Sequence, residues 1–203
     1  MTTLLLPSSP GAPSARRPVC AVVVDLAGST SLAHRLPLEH YTAVMGELMQ
    51  VLYLHLEMLR GHVLQHQGDA VICLWDIEDT PYALEAALTA HARAADLSLA
   101  RLLGEHLQLR CGVACGEVMM GVIGGIEAAY GLPVNLARRL CDAGQRGWTL
   151  TCANTPLYAP HAELTPSDPL PLRGFPEPCL SYRASASGVS VTGLQNSSHM
   201  KIV

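Results

Sequence analysis

A mixed α+β fold, with strands and helices interleaved in the order βαββαβ, is what this 203-residue sequence predicts. Three observations carry that prediction. The first long apolar run, "VCAVVVDLAGST", is β-branched and closes on Asp25 and Gly28, the pattern of a buried strand. Two long stretches of helical periodicity follow, each stopping at a glycine. Between them, "HVLQHQ" and "AVICLW" flank Gly68-Asp69 as the arms of a hairpin.

The elements follow in order. The first strand ends near Asp25. Across residues 37–60, Val44, Leu48, Val51, Leu52 and Leu59 recur at helical spacing, and Gly61 supplies the stop. The hairpin occupies residues 62–67 and 70–75. A second helix begins at Asp79-Thr80-Pro81, with Thr80 as cap and Pro81 in the first turn, and runs through an alanine-rich body to Gly104. "LQLRCGVACGEVMMGVIGG" is expected to form two strands joined around Cys115-Gly116. "PVNLARRLCDA" reads as a short helix, "WTLTCA" as a strand and, after a proline-rich loop, "CLSYRA" as the closing strand. The first six elements make a split-βαβ, ferredoxin-like core, to which a C-terminal helix and strands are added. In such a core the first strand lies beside the hairpin, which brings Asp25 near Asp69.

Composition bounds the rest. Hydrophobic residues make up 49% of the chain but aromatics only 4%, so the core is built from Ala, Val, Leu and Ile. A net charge of −4, with no basic run beyond Arg16-Arg17 and Arg138-Arg139, argues against nucleic acid or an anionic membrane as partner. The cysteines number seven, form no CxxC pair and sit mostly in apolar runs, the mark of reduced core residues in a cytoplasmic protein. The histidines lack paired ligand spacing and are expected to be structural. No stretch is long enough to span a bilayer. Residues 1–17 read as a disordered leader, 18–185 as the folded domain and 186–203 as a Ser- and Gly-rich flexible tail.

Two carboxylates brought together repel, and the pKa of one rises unless a cation holds both ionised. Magnesium suits such a pair, because substrate phosphates complete its octahedron. After Asp25, "LAGSTSL" offers backbone N–H groups at a turn before a helix, a place for phosphate oxygens. The combination suggests a nucleoside triphosphate.

At this point the chain resembles the class III nucleotidyl cyclases, the catalytic domain of adenylate and guanylate cyclases. "VVVDLAGSTSLAHRL" is similar to the family's first metal-Asp segment and "GDAVICLW" to its second. "LRCGVACGEVMMGVIG" resembles the family's R-[VI]-G-[IV] stretch, "VNLARRL" its V-N-[LV]-A-x-R helix, and "LRGFPEPCLSYR" its late G-F-x-E-P stretch. The five pieces stand in the family's order across residues 19–184.

The resemblance implies metal binding by Asp25, Asp69 and the Leu26 backbone carbonyl, with two Mg²⁺ or Mn²⁺ ions per site. One ion would polarise the ribose 3′-hydroxyl and the other steady the departing pyrophosphate. Asn135 would orient the ribose and Arg139 stabilise charge on the α-phosphate. Gly28, Ser29, Thr30, Arg110 and Arg173 fall at phosphate-contacting positions. The resemblance also implies a homodimer, because metal carboxylates and the Asn/Arg helix come from different protomers. Base choice falls to Gln65, where adenylate cyclases carry a Lys, and to a position near Ala128; the guanylate pair of Glu and Cys is absent. ATP is the expected substrate. A pyrimidine triphosphate (UTP or CTP) and a catalytically silent nucleotide-binding dimer are the alternatives. With no fused sensor domain recognised, regulation is expected from the chain ends or a separate partner.

The plainer readings stand beside these. Asp25 is otherwise a strand-end cap, Asp69 and Gly28 turn residues, and Asn135 a helix cap. Arg139 and Arg138 are otherwise surface charges, Arg173 an exposed loop residue, and Met119-Met120 packing. Arg138 is expected at the surface in either case.

Overall fold

The computed structural model describes residues 15–185; the tail, residues 186–203, and residues 1–14 of the expected leader lie outside the described residues. The chain runs through β1 (Ala15–Leu26), α1 (Ser29–Arg35), α2 (Leu38–Met58), β2 (His62–Gln67) and β3 (Ala70–Asp76). A 3₁₀ turn at Ile77–Asp79 leads into α3 (Thr80–Ala95), α4 (Ser98–Leu102), β4 (Leu109–Ile123) and β5 (Ile126–Tyr130). The remainder is α5 (Leu132–Ala143), β6 (Thr149–Cys152), α6 (Thr155–Tyr158), β7 (Leu164–Leu170) and β8 (Cys179–Ala184). The eight strands make one sheet in the order β2-β3-β1-β4-β6-β8-β7, with β5 paired to β4. Only β4 and β6 run parallel among the described residues. This is the expected α+β core with C-terminal additions.

β1 sits at the centre, hydrogen-bonded to β3 on one side and β4 on the other. Helices cover both faces, which is why residues 19 to 24 are apolar without alternation and fully buried. The two faces can be told apart on β4. Cys111 turns toward α3, its thiol donating to the Ala87 carbonyl at 3.5 Å. Its neighbour Gly112 turns the other way, toward α5. A Cβ there would collide with the Ala137 carbonyl oxygen and lie 2.5 Å from the Cys141 nitrogen. Only a glycine lets α5 lie so close to the sheet.

α2 and α3 pack through Val44, Leu48, Leu52 and Leu56 against a stripe of alanines. His55 is buried between them; its Nε2 donates to the Ala86 carbonyl at 3.1 Å. Burial holds its pKa below the usual imidazole value, and the same holds for His91.

Several elements differ from the sequence reading. Residues 109–123 form one strand, not two joined around Cys115-Gly116, because Gly112 and Gly116 serve to admit α5; a Cβ on Gly116 would touch Pro133 Cγ at 2.9 Å. The turn falls later, at Gly124 and Gly125, both with positive φ. The long second helix breaks at Asp96-Leu97, where Leu97 buries its side chain and Glu47 of α2 accepts the Leu99 amide at 3.2 Å. Within the proline-rich loop, α6 and β7 form, the latter paired to β8. Residues 15–17, expected in the leader, extend β1; Arg17 pairs with Asp76 at 2.7 Å. All seven cysteines are free and all but Cys179 are buried, as core thiols should be. Among the described residues no helix is long and apolar enough to cross a membrane.

Candidate active site

The antiparallel register places Asp25 opposite Ala70 on β3 and opposite Arg110 on β4. Asp69 directly precedes Ala70 in the hairpin turn, whose Gly68 has φ 64°. Leu26 N–H donates to the Asp69 carbonyl at 3.3 Å, closing the two segments side by side. The two carboxylates thus stand at the ends of neighbouring strands. Asp25 is buried, its side chain 5% exposed, and Asp69 is half-buried.

Burial pushes the Asp25 carboxyl above the usual range; the Arg110 hydrogen bond opposes this and the charge of Asp69 adds to it. Arg110 Nη2 donates to Asp25 Oδ2, and Nη1 donates to the Asp142 carbonyl of α5 at 3.4 Å. Among the described residues no group of three or more His, Cys, Asp and Glu side chains is placed to hold a metal. A pair of repelling carboxylates fits a hard divalent cation whose other ligands are phosphate and water oxygens.

Beyond Leu26 the chain turns at Gly28, φ 83°, which a side chain adopts only under strain. Ser29 and Thr30 open α1, half-buried and exposed respectively. Arg146, which the sequence reading did not single out, reaches over this turn, its Nη2 3.1 Å from where a Gly28 Cβ would sit. It lines a hollow of about 70 Å³ with Gly28, Ser31, Arg35, Glu105 and Gln108.

The structure therefore gathers Asp25, Leu26, Asp69, Arg110 and the Gly28 turn. The remaining expected residues make no hydrogen bond or ion pair with that group among the described residues. Asn135 is exposed on α5, and Arg139 pairs with Asp142 at 3.3 Å. Arg173 is exposed beside Gly174 and makes no ion pair among the described residues. Gln65 is exposed on β2, where a bulge between Val63 and Gln65 shifts the register. Ala128 is half-buried on β5 opposite Gly121. Next to them, His62 Nε2 and Glu127 Oε2 meet at 2.6 Å and tie β2 to β5, a contact that only the folded sheet reveals.

Arg138 corrects the sequence reading. It is not a free surface charge: Nε lies 3.5 Å from Asp142 Oδ1, and Nη1 is buried with no hydrogen-bond partner among the described residues. A helical projection carries the signal, because position 138 adjoins the buried Ala137 and precedes Cys141 by about one turn.

No family model matches the chain. An uncharacterized protein of Mycobacterium tuberculosis, MT1361, is 28% identical over 171 residues, covering 80% of this chain and 30% of the relative. Another from the same species, Rv1320c, is 34% identical over 130 residues, 62% of this chain and 23% of the relative. The chain thus spans less than a third of the curated relatives it matches. Among solved structures, the adenylyl cyclase CyaB from P. aeruginosa superposes with a TM-score of 0.82 at 20% identity, over 87% of this chain and 97% of that one. The guanylyl cyclase Cya2 gives 0.79 at 20% identity, over 89% and 96%. The guanylate cyclase domain of RhGC from Catenaria anguillulae, solved with GTP, gives 0.78 at 19% identity, over 85% and 98%. The fold is that of the class III cyclase catalytic domain.

Proposed function

We propose that this chain, with its class III cyclase fold, is a nucleotidyl cyclase. It converts a nucleoside triphosphate, ATP first, to the 3′,5′-cyclic monophosphate and pyrophosphate, acting as a homodimer. The observation that carries the reading is the juxtaposition of Asp25 and Asp69 at the ends of adjacent strands, with α5 packed over the same sheet.

Asp25, Asp69 and the Leu26 carbonyl hold two Mg²⁺ or Mn²⁺ ions, which when bound supply Lewis-acid activation of the 3′-hydroxyl and charge relief on the triphosphate. The Gly28 turn, with Ser29 and Thr30, receives phosphate oxygens, and Arg110 adds charge from β4. Asn135 and Arg139 of the partner copy orient the ribose and stabilise the α-phosphate. The exposure of Asn135 on α5 supports a site completed by a second copy. Arg173 contacts the triphosphate.

A second reading, a pyrimidine cyclase, is favoured by the base-facing positions. Ala128 offers no side-chain hydrogen bond, Gln65 both donates and accepts, and the β4–β5 hairpin is closed by only Gly124 and Gly125. Purified protein is incubated with Mn²⁺ and each of ATP, GTP, CTP and UTP, and products are resolved by mass. Cyclic AMP supports the first reading, and cyclic UMP or CMP the second. Nucleotide binding without turnover with any of the four indicates the silent dimer and overturns both.

A further inference from the structure

Two turns far apart in sequence are pinned to the same end of β4. Ala27 N–H donates to the Gln108 carbonyl at 2.8 Å, and Leu26 stands opposite Leu109. Downstream of α5, Gly147 N–H donates to the Leu109 carbonyl at 2.8 Å, and the Trp148 carbonyl accepts Cys111 N–H at 2.9 Å. Trp148 N–H closes that second turn on the Gln145 carbonyl at 3.0 Å, with Gly147 at φ 80°. These backbone bonds hold Arg146 over the Gly28 turn, its Cζ 3.7 Å from where a Gly28 Cβ would sit.

Gly28 and Arg146 are both exposed, so the place where they meet is open to solvent. The hollow of about 70 Å³ beside them is lined chiefly by polar groups. Its one carboxylate, Glu105, is held on both oxygens by Arg35, at 3.0 and 2.6 Å, and Arg35 Nη1 donates to Ser31 Oγ at 2.7 Å. Arg146 makes no ion pair or side-chain hydrogen bond among the described residues, so two guanidinium charges face one carboxylate. The excess positive charge attracts an anion. The hollow admits several waters or a single phosphoryl group, not a nucleoside.

The structure assigns Arg146 to the terminal phosphates of the nucleoside triphosphate, in the chain whose Gly28 turn it covers. The assignment rests on the cyclase reading, which seats phosphate oxygens on that turn. Reach supports it. With Nη2 3.1 Å from the Gly28 Cβ position, a change of rotamer brings the guanidinium to an oxygen seated there, and its fork offers paired N–H donors. Arg110 is bound to Asp25, beside which the α-phosphate must react. Arg146 stands beyond Leu26, on the α1 side of the turn, where the outer phosphates extend.

Calorimetry of inorganic triphosphate binding to the full chain with Mn²⁺ tests it. Arg146→Gln should weaken binding about fivefold or more, the worth of an exposed charge-assisted hydrogen bond, and Arg146→Lys should recover part of the loss. Melting temperatures of both variants should match wild type; a fall would make the residue a structural brace and overturn the contact. Arg16→Gln removes the same charge near the other end of β1 and should leave binding unchanged. Equal weakening by Arg16→Gln and Arg146→Gln would show an effect of net charge and overturn the assignment. In cyclase assays Arg146→Gln should raise KM with kcat little changed, because the outer phosphates are held before and during the reaction alike. A lowered kcat at unchanged KM would contradict that role. Wild-type protein that binds no triphosphate overturns the cyclase reading and this assignment with it. Binding that survives Arg146→Gln overturns this assignment alone.

Discussion

Asp25 and Asp69 share a cleft but differ in what holds them, so their loss should look different. Asp25 is buried against Arg110, and Asn in its place leaves a half-buried guanidinium without its counter-charge. Asp25→Asn keeps a neutral acceptor for Arg110 and is expected to abolish turnover at a modest cost in stability, whereas Asp25→Ala should cost about 2 kcal/mol or more. Asp69→Asn, in a turn, should abolish turnover with little change in melting temperature. Urea denaturation beside cyclase assays checks both; a stable, active Asp69→Asn protein would contradict the metal role. A second residue-scale expectation concerns His55 and His91, whose folded pKa values burial depresses. The unfolded chain then binds protons more readily than the folded one as pH falls through the ordinary histidine range near about 6.5, so stability should drop on acidification there. The raised pKa of Asp25 acts oppositely, since its protonated folded form gains stability as pH falls toward the ordinary carboxylate value. Comparing wild type with His55→Asn by denaturation at about pH 7.5 and about pH 5.5, either side of that range, isolates the histidine contribution, and an unchanged slope would refute it. Among the site residues, Asp25 and Asp69 were legible because a buried run ending in Asp and a Gly-Asp hairpin are local signals. Arg146 was not, since its place over the Gly28 turn joins residues far apart in sequence.

At the scale of elements, the two glycines of β4 that face α5 explain both the packing of that helix and the main misreading of the strand. A sequence shows a glycine's freedom but not whether a turn or a neighbouring backbone uses it. Here the backbone of α5 uses Gly112, so Gly112→Ala should push the helix off the sheet and destabilise the protein by about 2 kcal/mol or more. It should also disturb the site, because Asn135, Arg138 and Arg139 ride on that helix. Gly124, with open space around the position of a Cβ, is the control: alanine there should report only the strain of its positive φ. Chemical denaturation of both variants decides; equal losses would show that the close approach carries no special weight. The break between α3 and α4 was hidden for a related reason. The alanine-rich periodicity continues through Asp96-Leu97, and the features that end it are the burial of Leu97 and a carboxylate from α2. β1, α2, the hairpin and α5 were legible because their own patterns suffice. β7 depends on β8 for its definition, and Pro166 and Pro169 within it masked it.

For the whole molecule, the β4–β5 hairpin is the part that a single chain leaves least supported. Beyond Met120, β4 pairs among the described residues only with β5, making a two-stranded arm, which is marginal in water unless something packs on it. Its outer residues are apolar: Val122, Ile126 and Tyr130 are exposed, and Leu132, at the start of α5, is 70% exposed. A patch of this kind is expected to be covered by another protein surface. It adjoins the helix that carries Asn135 and Arg139, so covering it with a second copy would also bring that helix toward the other chain's carboxylates. Polar substitution should therefore uncouple folding from assembly. Ile126→Asp combined with Leu132→Asp is expected to leave melting behaviour near wild type, shift sizing from dimer to monomer, and reduce turnover at low protein concentration by roughly a hundredfold, as about 3 kcal/mol of lost association implies. Raising the concentration should recover part of the activity, because the site itself is untouched and only its assembly is weakened. A monomeric variant with full turnover at every concentration would show that one chain suffices and would overturn the homodimeric reading.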